Sequence, residues 1–309
     1  MSRDRLAPDR VRTLLQGRVN SIPTPFLADG SIDWDGAANI VEVGVSAGCS
    51  TTLLTAGDSR LFYLSEEEVA RLTRFVIERA AGRTLTVAAT GAWATAQAAQ
   101  FAEFARDAGA DVLMSLPPQG AQSPDGLAGH YRALARVMPV MIVGMPPFAA
   151  LEPLTGEPNV CCFKEDGTEA YAVELLRKHG GRWKIMTGGG LARHLVEWPY
   201  GCTAYMDWSA SCAPHVGARF QEALDRGDAR AAARVVTAFE RPLFGLAGEG
   251  VSADPSPGFP EGWQGLWRAV LELSGVARRF LRPPQASPTE ADLERVQPVL
   301  ERIGLLGAC

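Results

Sequence analysis

The sequence is poor in lysine. Only Lys164, Lys178 and Lys184 occur, so 27 of the 30 basic residues are arginines. No block rich in Lys and Arg stands out and the formal net charge is −5, which argues against nucleic-acid binding through a broad basic surface. No stretch approaches about 18 uninterrupted apolar residues, so no membrane-spanning helix is expected. The six cysteines, Cys49, Cys161, Cys162, Cys202, Cys212 and Cys309, contain no C-x-x-C pair. Neither a disulfide scaffold nor a structural zinc site is therefore expected, and a reducing cytoplasm is the expected compartment. His130, His179, His194 and His215 show no metal-ligand spacing, and no Ser/His/Asp set is visible. No metal or other cofactor is expected. Residues 1–11 are charged and lack an apolar centre, unlike a secretory signal.

What is present is a rhythm. The chain has 309 residues, 47% of them apolar, ample for a large core. From Arg18 onward, short β-like runs alternate with longer amphipathic helices. Strands are expected at 19–22, 51–55, 84–89, 111–115, 140–145, 159–164, 184–187 and 203–206, with helices over 33–47, 65–81, 94–108, 124–137, 169–179 and 210–226. Ser65 and Glu68 form a capping box, and Gly48 closes the first long helix. The proline-rich stretch 146–159 is a poor place for a full crossover helix. Eight strand–helix units in this length predict a (β/α)8 barrel, with an open doubly wound sheet as the alternative. After Gly227 the rhythm changes to helices over 229–244, 263–273 and 289–303, with Pro288 at the first helical position of the last. A loop rich in Gly, Pro and Ser fills 248–262. The expected organisation is an N-terminal segment 1–17, a barrel 18–227 and a C-terminal helical extension 228–309.

Barrel active sites form at the C-terminal ends of the strands. Lys164 stands there, directly after the apolar run Val160-Cys161-Cys162-Phe163. Burial disfavours a charged amine, and a neutral amine attacks carbonyls to form a Schiff base. The competing reading is a structural ion pair with Glu165, Asp166 or Asp58. Gly57-Asp58-Ser59-Arg60 ends strand two, where Arg60 is suited to holding a carboxylate, or where Asp58 and Arg60 face water or each other. Gly188-Gly189-Gly190 ends strand seven. Its backbone N–H groups can approach an anion ahead of the following helix, although a plain tight turn explains it too. Trp93 and Trp208 stand at strand ends where large aromatics commonly just pack.

Several pieces then fall into a familiar order. Thr24-Pro25-Phe26, Asp29-Gly30-Ser31-Ile32-Asp33, Leu64-Ser65-Glu66-Glu67-Glu68, Thr90-Gly91-Ala92-Trp93-Ala94-Thr95, Gly126-Leu127 with His130-Tyr131, Phe163-Lys164-Glu165 and Thr187-Gly188 resemble motifs of the dihydrodipicolinate synthase/N-acetylneuraminate lyase family. They run from strand one to strand seven. The resemblance implies a (β/α)8 barrel with C-terminal helices, a homo-oligomer (tetramer or dimer), and pyruvate or another 2-oxo acid bound as an imine to Lys164.

The sequence also departs from that family. Its carboxylate-cradling G-x-[ST]-G-E loop aligns with Ala56-Gly57-Asp58-Ser59-Arg60, and its proton-relaying Y-N-x-P tyrosine with Val143. The P-Y-Y tyrosine is absent at Pro117-Pro118-Gln119, as is the arginine that usually follows Y-N-x-P. These losses argue against dihydrodipicolinate synthase and N-acetylneuraminate lyase themselves. Replacement proton carriers are sought among Asp58, Ser59, Tyr205 and Asp207. The expected site has Lys164, Asp58 and Asp207 in catalysis, with Gly57, Ser59, Arg60, Gly188 and Met206 binding substrate. The expected activity is retro-aldol cleavage of a hydroxy-2-oxo acid to release pyruvate, or its reverse. A dehydratase sharing the same imine is the alternative, and a barrel that binds a 2-oxo acid without turnover is the reading from another class.

Overall fold

Fully buried strand segments alternate with helices that bury one face, and this pattern sets the architecture. The computed structural model describes residues 6–120, 122–248 and 261–306. Along the chain lie α1 (Pro8–Leu14), β1 (Gly17–Ser21), α2 (Trp34–Ser46), β2 (Thr51–Leu53), α3 (Glu66–Ala80), β3 (Leu85–Ala89), α4 (Thr95–Ala108), β4 (Val112–Ser115) and α5 (Pro124–Ala135). They are followed by β5 (Val140–Gly144), α6 (Phe148–Leu151), β6 (Val160–Glu165), α7 (Glu169–His179), β7 (Lys184–Thr187), α8 (Leu191–Glu197), β8 (Ala204–Met206) and α9 (Pro214–Asp225). All eight strands run parallel in sequence order, and β1 closes on β8 with Val19 opposite Met206. Closure rules out the open sheet. Among the described residues no helix is long and apolar enough to cross a membrane.

Side-chain caps place the helices. Asp33, Ser65, Ser123 and Thr168 each accept a backbone N–H from the first turn of α2, α3, α5 and α7. Such a cap is worth about 1 kcal/mol. The Ser65–Glu68 capping box is fully formed. The stretch after β5 holds only the one-turn α6 and a 3-10 turn, as its prolines require. The segment 1–17 also contains a helix, α1, which the sequence reading left unassigned. The helix expected over 210–226 starts later, because Pro214 takes the first turn of α9 and a 3-10 turn covers Trp208–Ser211.

Beyond β8 and α9 come α10 (Ala229–Val235), a π-helical turn Val236–Glu240, α11 (Arg241–Ala247), α12 (Gly262–Leu273) and α13 (Glu290–Arg302). Most of the expected loop 248–262 lies outside the described residues. In α13 the N-cap is Thr289, which forms a capping box with Asp292. Pro288 therefore precedes the helix instead of opening it.

These helices are tied to the strand ends. Phe280 bridges Phe26. Arg282 donates to the Gly30 and Tyr63 carbonyls and pairs with Glu68, the same carboxylate that closes the α3 capping box.

Candidate active site

Lys164 lies near the C-terminal end of β6. Its chain neighbours face outward: Phe163 stacks on Trp183, and Glu165 pairs with Arg193 of α8. Alternation turns Lys164 into the barrel, with Val143 of β5 and Met186 of β7 as its register neighbours. The side chain is 8% exposed. Its Nζ donates to both carboxylate oxygens of Asp166 at 2.6 Å. Of the three acidic partners considered from sequence, Asp166 is the one engaged.

The loop that presents Asp166 is held on every side. Glu165 accepts from the Gly167 amide, Arg193 donates to the Gly167 carbonyl at 2.6 Å, and the Gly188 amide donates to the Glu165 carbonyl at 2.7 Å. A Cβ on Gly188 would overlap Asp166 Oδ1 and the Glu165 carbonyl. Gly188 is thus required for the close approach of Asp166.

Behind the loop, Arg193 serves two fully buried carboxylates, Glu165 and Glu197, and Thr187 Oγ donates to Glu197 at 2.7 Å. One cation cannot neutralise both acids. Burial and the neighbouring Glu165 push the Glu197 carboxyl up to about 7.

The end of β2 lies opposite β6 in the closed barrel. Asp58 is half-buried there; Ser21 Oγ donates to it at 2.8 Å, and Gln264 of α12 at 3.3 Å. Asp58 and Arg60 do not bond each other. Arg60 donates to Gln285 at 3.1 Å and lies 4.6 Å from the centroid of the Tyr63 ring. Gly57 is exposed. Ser59 is fully buried, donating to the Ile22 carbonyl and accepting from the Thr55 amide. It therefore joins β1 to the β2 loop and offers no free hydroxyl.

Asp207 and Tyr205 sit elsewhere. Asp207 is buried, with one oxygen 2.7 Å from Arg18 Nε and the other accepting from the Ser209 amide and hydroxyl. The pair is pressed against α9, where a Cβ on Gly217 would overlap Asp207. Tyr205 packs on His194 and Phe220 and donates to Gln221. Neither meets Lys164 or Asp58. Met206, half-buried at the end of β8, pairs in register with Val19. Trp93 packs on Phe101.

The N–H groups after Gly188-Gly189-Gly190 do meet an anion, and it is internal. Glu240, from the π-helical turn, accepts from Leu191 and Ala192 at 2.6 and 2.7 Å and from Trp208 Nε1 at 2.8 Å. Burial holds the Glu240 carboxyl above its ordinary value.

Sequence reasoning named Asp166 only as a structural partner of Lys164, and it did not single out Ser21, Gln264, Arg268 or Glu240. Asp166 was readable, since it stands two places past a strand-end lysine. Arg268 was readable as a charge inside the apolar run Leu266–Leu271. Gln264 and Glu240 carry no local signal, because only tertiary contact brings them to the strand ends, and Ser21 ends β1 but is joined to Asp58 only by the fold. Among the described residues no cluster of three His, Cys, Asp or Glu side chains is arranged to hold a metal.

A family model described as the dihydrodipicolinate synthetase family matches residues 14–302. The chain is 28% identical over 312 residues to a probable 5-dehydro-4-deoxyglucarate dehydratase of Streptomyces avermitilis, covering 97% of this chain and 91% of that one. It is 29% identical over 317 residues to a 4-hydroxy-tetrahydrodipicolinate synthase of Psychrobacter arcticus, covering 97% and 99%. Among solved structures, an Escherichia coli prophage protein of the dihydrodipicolinic acid synthase family, in complex with pyruvate, superposes with a TM-score of 0.81. Its identity is 19%, over 94% of this chain and 99% of that one, a likeness of fold.

Proposed function

The chain belongs to the dihydrodipicolinate synthetase family, and from that premise we propose that Lys164 forms an imine with a hydroxylated 2-oxo acid and thereby cleaves it. The enzyme is a carbon–carbon or carbon–oxygen lyase. The observation that carries the reading is the buried Lys164 amine turned into the barrel at a strand end.

Asp166 takes a proton from Nζ, and the neutral amine adds to the keto carbon. Loss of water leaves an iminium. In a 4-hydroxy-2-oxo acid the C3–C4 bond then breaks. Its electron pair moves to the iminium nitrogen, and the C4 hydroxyl proton goes to a base. An aldehyde departs, the enamine takes a proton at C3, and water releases pyruvate and the free lysine. Asp58, held by Ser21 across the strand ends from β6, is the better placed of the two acids proposed to move protons. Both Asp207 oxygens are engaged by Arg18 and Ser209. The β2 loop with Arg60 is where the substrate carboxylate is held.

A second reading is favoured by the likeness to the Streptomyces dehydratase. From the same imine, a base removes a C3 proton and the C4 hydroxyl leaves as water. Borohydride reduction in the presence of pyruvate, followed by intact mass and peptide mapping, tests the shared step. The expected result is a pyruvate adduct confined to Lys164 and absent from Lys164→Ala. No adduct with pyruvate or larger 2-oxo acids would leave a barrel that binds without turnover. Product analysis on a panel of hydroxylated 2-oxo acids then separates cleavage from dehydration.

A further inference from the structure

Helix α12 places two polar side chains, Gln264 and Arg268, one turn apart on the face directed at the ends of β1 and β2. Gln264 Nε2 donates to Asp58, and Arg268 Nη2 donates to the Thr24 carbonyl at 3.1 Å. Arg268 is completely buried, yet its Nε and Nη1 have no partner, nor does Gln264 Oε1. No carboxylate among the described residues forms an ion pair with it. The charged groups it senses are Arg60, which repels it, and Asp58, which attracts it. Burial and Arg60 together pull its pKa down to about 9.

An unpaired buried guanidinium costs several kcal/mol, so packing does not account for it. Among the described residues, two cations and one carboxylate meet at this corner, which leaves these groups one negative charge short. The corner lies at the ends of β1 and β2, opposite the Lys164 strand. In a 2-oxo acid the carboxylate is one bond from the carbon that joins Nζ. A ligand anchored at β6 and pointing across the barrel brings its carboxylate toward this corner.

We propose that Arg268, reaching in from outside the barrel, binds the carboxylate of the 2-oxo acid beside Asp58 and makes the site selective for keto acids over neutral ketones. This rests on the imine reading for the orientation of the ligand. Charge then balances on binding, with Arg60 and Arg268 facing Asp58 and the incoming carboxylate. Arg268 belongs to the C-terminal helices, so substrate selection is built partly outside the barrel.

The test compares pyruvate with methyl pyruvate, which keeps the ketone and loses the charge. Reductive trapping at Lys164 is titrated with each ligand in wild type, Arg268→Met and Arg268→Lys. Half-saturation by pyruvate is expected to rise about 10- to 100-fold in Arg268→Met. Methyl pyruvate should be unaffected, and Arg268→Lys should recover part of the loss. The melting temperature of Arg268→Met should match or exceed wild type, because an unpaired buried charge has been removed. A folded Arg268→Met with an unchanged pyruvate-to-ester ratio overturns the proposal. Calorimetric titration of pyruvate into Lys164→Ala, with and without Arg268→Met, keeps the two ideas apart. Arg268-dependent binding there upholds the anion site even if no imine ever forms. Binding that ignores Arg268, or no binding at all, rejects it.

Discussion

Both carboxylate oxygens of Asp166 lie 2.6 Å from the Nζ of Lys164. The amine is thus supplied with a proton acceptor two residues away in the same chain. Asp166→Asn keeps the shape and removes the base. Turnover is expected to fall about 10²- to 10⁴-fold, the usual cost of losing such a group. The rate of reductive trapping at neutral pH should fall with it. A trapping rate within threefold of wild type would take Asp166 out of the proton path.

Gly188→Ala tests the same contact from the other side. The new methyl group would meet Asp166 Oδ1 and the Glu165 carbonyl. The backbone oxygen cannot move freely, so Asp166 must swing off Nζ. A stability loss of about 1–3 kcal/mol in urea unfolding is expected. Trapping should slow toward the Asp166→Asn level. If trapping stays at the wild-type rate, close packing by Gly188 is not what sets the pair.

Asp207→Ala should act on folding more than on chemistry. It strands the buried Arg18 guanidinium, whose Nε bond to Asp207 is 2.7 Å. Removing one partner of a buried pair costs about 3–5 kcal/mol. The variant should melt early, while its folded fraction turns over within a few-fold of wild type. A stable variant with kcat reduced a hundredfold would restore Asp207 to the proton relay.

Stability should carry a pH signature from Glu197. Its folded pKa is raised from 4.5 to about 7, so the folded state holds a proton that the unfolded chain gives up. The contribution is fully present below about pH 4.5 and is lost as the pH rises through about 7. Glu197→Gln keeps the group neutral throughout. Relative to wild type, this variant should gain about 1–3 kcal/mol in unfolding free energy between pH 5 and pH 8. Parallel stability curves would mean that Glu197 is already ionised at pH 5.

Strand and helix order, the closed barrel and the place of Lys164 near a strand end were legible because each is written in local periodicity or in one residue. The β2 loop was legible as a place, but its residues had not been sorted. Ser59 proves to be a strut and Asp58 the acid that remains half-open. Asp207 and Tyr205 are engaged by Arg18, Ser209 and Gln221, which the sequence did not show for a physical reason. A strand end shows which residues emerge there, and a half-turn of backbone decides which reach the interior and which lie under a helix. Glu240 marks another limit. Glycine-rich turns before a helix accept any anion, and the sequence does not say that the anion arrives from some fifty residues downstream.

The Arg282–Glu68 contact spans 214 positions of chain. Synthesis proceeds from the N-terminus, so the loops after β1 and β2 emerge long before Arg268, Phe280 and Arg282 exist to brace them. The contacts that brace the ends of β1 and β2 are therefore the last to become available as each new molecule is made.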